Sequence, residues 1–169
     1  MSTHTPFRRL SLVLPLLMGA ALVACGGGDD GAASEAADKY VGSWTSACTD
    51  LSAALGRPNS YKSTLTLRKT GAASYASETG NVEWANASCT GPSTPIVGES
   101  GATVFTIVGT KLIGSDTVDK LSYPLGATGV GKSVVLVSAS GLSLRLGNPN
   151  AVDSDGYPTA LDATVFTKQ

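Results

Sequence analysis

Ser63-Thr64-Leu65-Thr66-Leu67-Arg68-Lys69 sets Thr64, Thr66 and Arg68 against Leu65 and Leu67, an alternation with a period of two. Successive side chains of a β-strand point to opposite faces, so this stretch predicts a strand with one apolar and one polar side. Downstream, a Thr70-Gly71 turn leads to Ala73-Ser74-Tyr75-Ala76-Ser77. Glu78-Thr79-Gly80-Asn81 is expected to turn again before Val82-Glu83-Trp84-Ala85-Asn86-Ala87. These segments read as consecutive hairpins. Upstream stand a first strand, Tyr40-Val41-Gly42-Ser43-Trp44-Thr45, and a short Ala/Leu-rich helical candidate at residues 50–55.

Beyond a Gly/Pro/Ser loop at residues 90–99 the rhythm resumes in Thr103-Val104-Phe105-Thr106-Ile107-Val108, Lys111-Leu112-Ile113 and Lys120-Leu121-Ser122-Tyr123, with Gly109 and Gly114 as punctuation. Ser133-Val134-Val135-Leu136-Val137, Leu142-Ser143-Leu144-Arg145-Leu146 and Ala163-Thr164-Val165-Phe166-Thr167 follow. Eight or nine short strands without a long amphipathic helix predict an all-β domain. An antiparallel barrel or meander is expected, because closure removes exposed strand edges, with a β-sandwich as the alternative. No internal repeat of fixed period is present.

At the N-terminus Arg8 and Arg9 precede an apolar run at residues 10–24, broken by Ser11, Pro15 and Gly19. The run is shorter than the roughly 20 residues a membrane-spanning helix needs and matches a signal peptide's charged and hydrophobic regions. It ends in Leu22-Val23-Ala24-Cys25, which resembles the lipobox of bacterial lipoproteins. That resemblance implies cleavage before Cys25 and lipid on its thiol and amine, an anchor strengthened by about 0.8 kcal/mol per buried methylene. Residues 1–24 are then the signal peptide, residues 25–37 a flexible Gly/Ala/Asp tether, and residues 38–169 one domain. By resemblance to the enterobacterial sorting pattern, in which an aspartate after the cysteine retains the protein in the inner membrane, Gly26 implies the outer membrane, and its periplasmic face is expected.

The chain carries 12 basic and 13 acidic residues. Loss of Arg8 and Arg9 with the signal leaves 10 basic against 13 acidic, a net charge near −3 and no polybasic footprint for nucleic acid. The single histidine, His4, leaves with the same segment, which removes Ser–His and Cys–His catalysis and histidine-ligated zinc from the mature chain. With Cys25 lipidated, Cys48 and Cys89 are expected to form one disulfide in an oxidising compartment, the alternative being free thiols.

Gly42-Ser43-Trp44 at the first strand resembles the opening motif of the lipocalin-like small β-barrels. The resemblance implies that Gly42 allows a close approach and that Trp44 closes the barrel's base beneath a basic side chain of a late strand, for which Arg145 is the candidate. In a sandwich Trp44 is a core aromatic.

Two motifs are read down. Gly126-Ala127-Thr128-Gly129-Val130-Gly131-Lys132-Ser133 matches the phosphate-loop pattern letter for letter. That pattern needs a strand before it and a helix after it, whereas Pro124 precedes and Val134-Val135-Leu136-Val137 follows, so a glycine loop between strands is expected and no nucleotide. Asp153, Asp155, Gly156 and Asp162 fall at calcium-loop positions, but position one is Ala151 and the flanks are strands. An Asp-Gly turn explains the same letters, leaving Asp153, Asp155 and Asp162 as calcium candidates only.

Without histidine or thiol, paired carboxylates are the remaining catalytic route, with Glu78, Glu83 and Glu99 as candidates, all expected on solvated surface. Asn86-Ala87-Ser88 fits a glycosylation acceptor that a bacterial setting makes coincidental. No cofactor is expected. Three functions follow as expectations: an envelope binding or structural module holding a small apolar ligand, an interaction or inhibitor module contacting an envelope protein through residues 50–60 and 90–101, or a carboxylate hydrolase.

Overall fold

Leu65 and Leu67 lie in the middle of a twelve-residue strand and face the core of a closed barrel. The structure, a computed structural model, describes residues 35–96 and 101–169. Its strands are β1 Gly42–Ser46, β2 Thr49–Asp50, β3 Ser60–Gly71, β4 Ser74–Trp84, β5 Thr94–Ile96, β6 Thr103–Ile113, β7 Asp116–Leu125, β8 Gly129–Val137, β9 Ser143–Leu146 and β10 Phe166–Lys168. Eight of them, β1-β3-β4-β6-β7-β8-β9-β10, pair antiparallel in chain order, and β10 returns to β1. The ring is therefore an up-and-down barrel with no free edge, and β2 and β5 add to β3 and β4 outside it. Among the described residues the longest helical segment is Ser52–Leu55, inside the expected stretch, where Asp50 accepts the Ser52 N–H at 2.8 Å.

The alternation is cleanest on β3, while β6, β7 and β8 also carry apolar residues on the outer side and β4, β6 and β8 turn hydroxyls inward. On β3, Leu65 and Leu67 point inward while Lys62, Thr64, Thr66 and Arg68 line the outer wall. On this strand the polarity is the reverse of that in a membrane-spanning barrel, whose apolar residues face lipid. The inner core joins Trp44, Leu65, Leu67, Tyr75, Leu121, Val135, Leu144 and Phe166. A second, smaller core lies outside the ring. There Val118 and Val134, from the outer faces of β7 and β8, pack beneath Tyr157 and Leu161 of the long β9–β10 connection.

The structure corrects several boundaries. Glu78-Thr79-Gly80-Asn81 is not a turn: β4 runs through it, because β3 supplies a ladder partner for every residue from Ser77 to Trp84. A continuous ladder satisfies more backbone groups than a local turn does. Lys111-Leu112-Ile113 is not a separate strand, since β6 passes through a bulge between Ile107 and Gly109. Gly109 takes φ 138°, a conformation that side-chain-bearing residues avoid. The extra residue moves Lys111 and Ile113 to the outer face, where they meet the β9–β10 connection. The first hairpin turns at Ala72-Ala73 rather than Thr70-Gly71. The folded body also starts before Asp38: Ala37 is fully buried, its N–H bonded to the Ala72 carbonyl, and Glu35 pairs with Lys69. Cys25, the expected tether as far as residue 34, and Glu99 lie outside the described residues.

Candidate functional site

One end of the barrel is stoppered. The Asp38–Tyr40 turn lays Tyr40 across it, completely buried, with its ring 4.9 Å from that of Tyr75. Trp44 is equally buried and donates its Nε1 to the Tyr40 carbonyl at 2.8 Å. The Tyr40 hydroxyl donates to Asp119 Oδ2, and the Lys39 ammonium stands 2.6 Å from the same oxygen. Burial, then the Asp119 carboxylate, pushes the Tyr40 phenol far above its ordinary 10, and the same two causes raise Tyr75. Both phenols therefore stay neutral at physiological pH. A buried carboxylate is tolerable here only because a cation and a hydroxyl serve it.

The cation over Trp44 is Lys168, 5.2 Å from the ring, and not Arg145. Alternation explains the correction. Lys168 shares the inward side of β10 with Phe166, and it pairs directly with Trp44. Arg145 neighbours the inward Leu144 and so faces outward, where its Nε and Nη2 donate to the Asp162 carbonyl at 3.1 and 2.8 Å. Gly42 takes φ 135°, and a Cβ there would stand 2.9 Å from Lys168 Cε. The backbone conformation is what requires the motif's glycine, since the flexible end of Lys168 could move away from a Cβ.

Above this floor lies a cavity of about 260 Å³. Leu65, Leu67, Leu121 and Leu144 form its lower wall. Tyr75, Phe105 and Tyr123 stack along one side, with ring centroids 5.6 and 4.9 Å apart. Ser77, Thr79, Thr103 and Ser133 supply hydroxyls, and no charged side chain lines the space. Thr79 faces inward on β4 and is nevertheless exposed, so water reaches the cavity at the end opposite Tyr40. Ser133 and Leu146 also line an adjoining space of about 400 Å³ between β1, β3 and the β9–β10 connection.

The disulfide pair is present at that mouth. Cys48 and Cys89 are bonded, their Cα atoms 5.9 Å apart, and the bridge spans the start of β3, which pairs with β2 on one side and β4 on the other. Cys89 takes a positive φ of 50°, held by its N–H to Ser60 Oγ at 3.0 Å.

The phosphate-loop letters have structural reasons of their own. Gly126-Ala127-Thr128 is the β7–β8 turn, and the residues after it are strand. Gly131 lies beneath the Tyr123 ring, where a Cβ would come within 2.3 Å of ring carbon. Lys132 points outward and donates to the Asp155 carbonyl at 2.5 Å.

The calcium letters likewise form a clamp. Asp153 Oδ2 takes the Lys111 ammonium at 2.6 Å, and its Oδ1 accepts the N–H groups of Asp155 and Tyr157. Asp162 Oδ1 accepts the Thr164 N–H. Among the described residues no group of three or more His, Cys, Asp or Glu is placed to hold a metal ion. The Lys111 hydrogen bond and the backbone amides lower the Asp153 pKa below 3.8. A depressed carboxylate stabilises the fold fully above the unfolded value, and that stabilisation is lost as pH falls through the folded one. The exchange protection of residues 151–159, taken relative to the intrinsic amide rate at each pH, is thus expected to be flat from pH 7 to 5 and to fall below pH 3.8, before that of the barrel amides follows. Simultaneous loss across the barrel would contradict it.

Of the carboxylate candidates, Glu78 is paired with Arg68 at 2.7 Å on the outer wall. Glu83 lies on the opposite side of β4, since five residues separate them. The two do not share a site. None of Lys39, Tyr40 and Asp119 lines either space. No helix of the described residues is long and apolar enough to cross a membrane. Compared with known proteins, the chain matches no family model, no curated protein and no solved structure.

Proposed function

We propose that this protein is a lipid-anchored, non-catalytic binding module of the cell envelope, held by Cys25 at the periplasmic face of the outer membrane, whose barrel carries a small apolar ligand. The anchor rests on Leu22-Val23-Ala24-Cys25 behind its charged and apolar leader. The binding role rests on one observation: the cavity is apolar, free of charged lining and stoppered at one end only.

Ser133 tests the reading, because it lines both spaces. The full chain, made in a bacterium, should appear by mass spectrometry cleaved before Cys25 and carrying lipid. It should also bind the uncharged fluorophore N-phenyl-1-naphthylamine. Ser133→Phe fills the junction of the two spaces and is expected to weaken that binding at least about tenfold while melting changes by only a few degrees. Equal binding by the variant removes the cavity from the function, and an unlipidated Cys25 removes the anchor.

The second reading, docking of an envelope protein, is favoured by the disulfide. It fastens the connections after β1 and β4 to one another at the mouth, where Leu55 and Ile96 are exposed. Fluorophore binding that is insensitive to Ser133→Phe favours this second reading over the first.

A further inference from the structure

The two adjoining spaces differ in chemistry, and the difference specifies a ligand class. The inner one combines leucines and aromatic rings with the hydroxyls of Ser77, Thr79, Thr103 and Ser133 and has no charged residue in its lining. The outer one, beside Leu146, Pro149 and Phe166, is lined by hydroxyl-bearing residues, among them Ser46, Thr49, Tyr61 and Ser63, and by one charged residue, Asp162. Several of these hydroxyl protons are already engaged. Ser63 donates to Asn81 Oδ1 at 2.9 Å, Ser46 donates to the Ala47 carbonyl at 2.9 Å and keeps one lone pair after accepting the Ser63 N–H at 2.9 Å, and Thr164 hydrogen-bonds Asp162. Asp162 Oδ1 accepts one backbone N–H at 2.8 Å and has lone pairs to spare. Arg145 sits on the carbonyl of the same residue and belongs to the lining of neither space. The outer space therefore offers mainly acceptors, with Thr49 and Tyr61 able to act either way.

We propose that the two spaces are one site for an amphiphile, with its alkyl chain in the inner cavity and a donor-bearing, non-anionic head, hydroxyl or ammonium, against Asp162, Ser46 and Ser63 in the outer. This rests on the reading of the cavity as a ligand site and adds the class of head it accepts. A carboxylate or phosphate head would set its negative charge against Asp162 and find its acceptors facing acceptors.

Three probes with one chain length decide it: dodecylamine, dodecanol and dodecanoate, each displacing N-phenyl-1-naphthylamine from the full chain at pH 7, below its aggregation threshold. The amine and the alcohol are expected to bind at least about tenfold more tightly than dodecanoate. In Asp162→Asn, which keeps an acceptor for the Thr164 N–H, the amine's advantage over dodecanoate should shrink to about threefold or less. An amine preference larger than the alcohol's identifies the head as ammonium, and equal preference identifies it as hydroxyl. Dodecanoate binding as tightly as either, or an unchanged ratio in Asp162→Asn, overturns the proposal while leaving the cavity reading intact. If none of the three displaces the fluorophore, both fall.

Discussion

Trp44→Ala is expected to cost about 3–5 kcal/mol, the range for truncating a large buried aromatic, and to lower the melting temperature by about 10 °C or more. Three contacts go together. The indole is completely buried in the inner core, its Nε1–H satisfies the Tyr40 carbonyl, and its face carries the Lys168 ammonium. Truncation leaves a void under the floor, a buried carbonyl without its donor and a lysine aimed inward without an aromatic partner. Tyr40 would lose its seat, and with it the hydroxyl that serves Asp119. Trp44→Phe keeps most of the packing and drops only the N–H, so its cost should be about 1–3 kcal/mol. Urea unfolding at pH 7 measures both. If Trp44→Ala melts within a few degrees of the parent, Trp44 is not what closes this end.

Replacing Cys48 and Cys89 together by serine is expected to remove about 4 kcal/mol, because the bond closes a loop of sequence separation 41 and its loss returns that conformational freedom to the unfolded chain. The effect should fall on the unfolded state and on the mouth rather than on the stoppered end. The bridge joins two connections across the start of β3, far along that strand from the β3–β4 hairpin that Ala37 contacts. The serine pair should therefore lose exchange protection first around β2 and β5 and keep it at Tyr40 and Trp44. Equal stability of the serine pair and the parent would show that the barrel ladders alone hold the mouth.

Asp153 and Asp162 show how far local letters carry. Asp-Gly spacing marks a turn wherever it stands, and that turn is present, with Asp153 accepting the amides of Asp155 and Tyr157. What the sequence did not disclose is Lys111, which reaches Asp153 from 42 residues away only because the bulge at Gly109 moved it to the outer face. The two tryptophans of the chain differ in the same way. Trp44 is central to the core, while Trp84 ends β4 at the mouth with its Nε1 on the Gly91 carbonyl, and no periodicity separates them.

By itself the sequence determined the strand character and its two faces, since alternation along residues 64–68 is a property of neighbouring residues and survives in any β arrangement. It also raised the expectation of a Cys48–Cys89 bond, with free thiols as the alternative, and the bond is present. Only the tertiary structure decided which cation covers Trp44, why Gly131 carries no side chain, and that the interior is a cavity rather than a filled core. Each depends on which strands are neighbours and in what register. Lys168 reaches Trp44 because β10 returns to β1, and Tyr123 lies over Gly131 because β7 and β8 pair at that residue. The cavity exists because Ser77, Thr79, Thr103 and Ser133 converge inside one ring, where small side chains on separate strands leave space that none of them reveals alone.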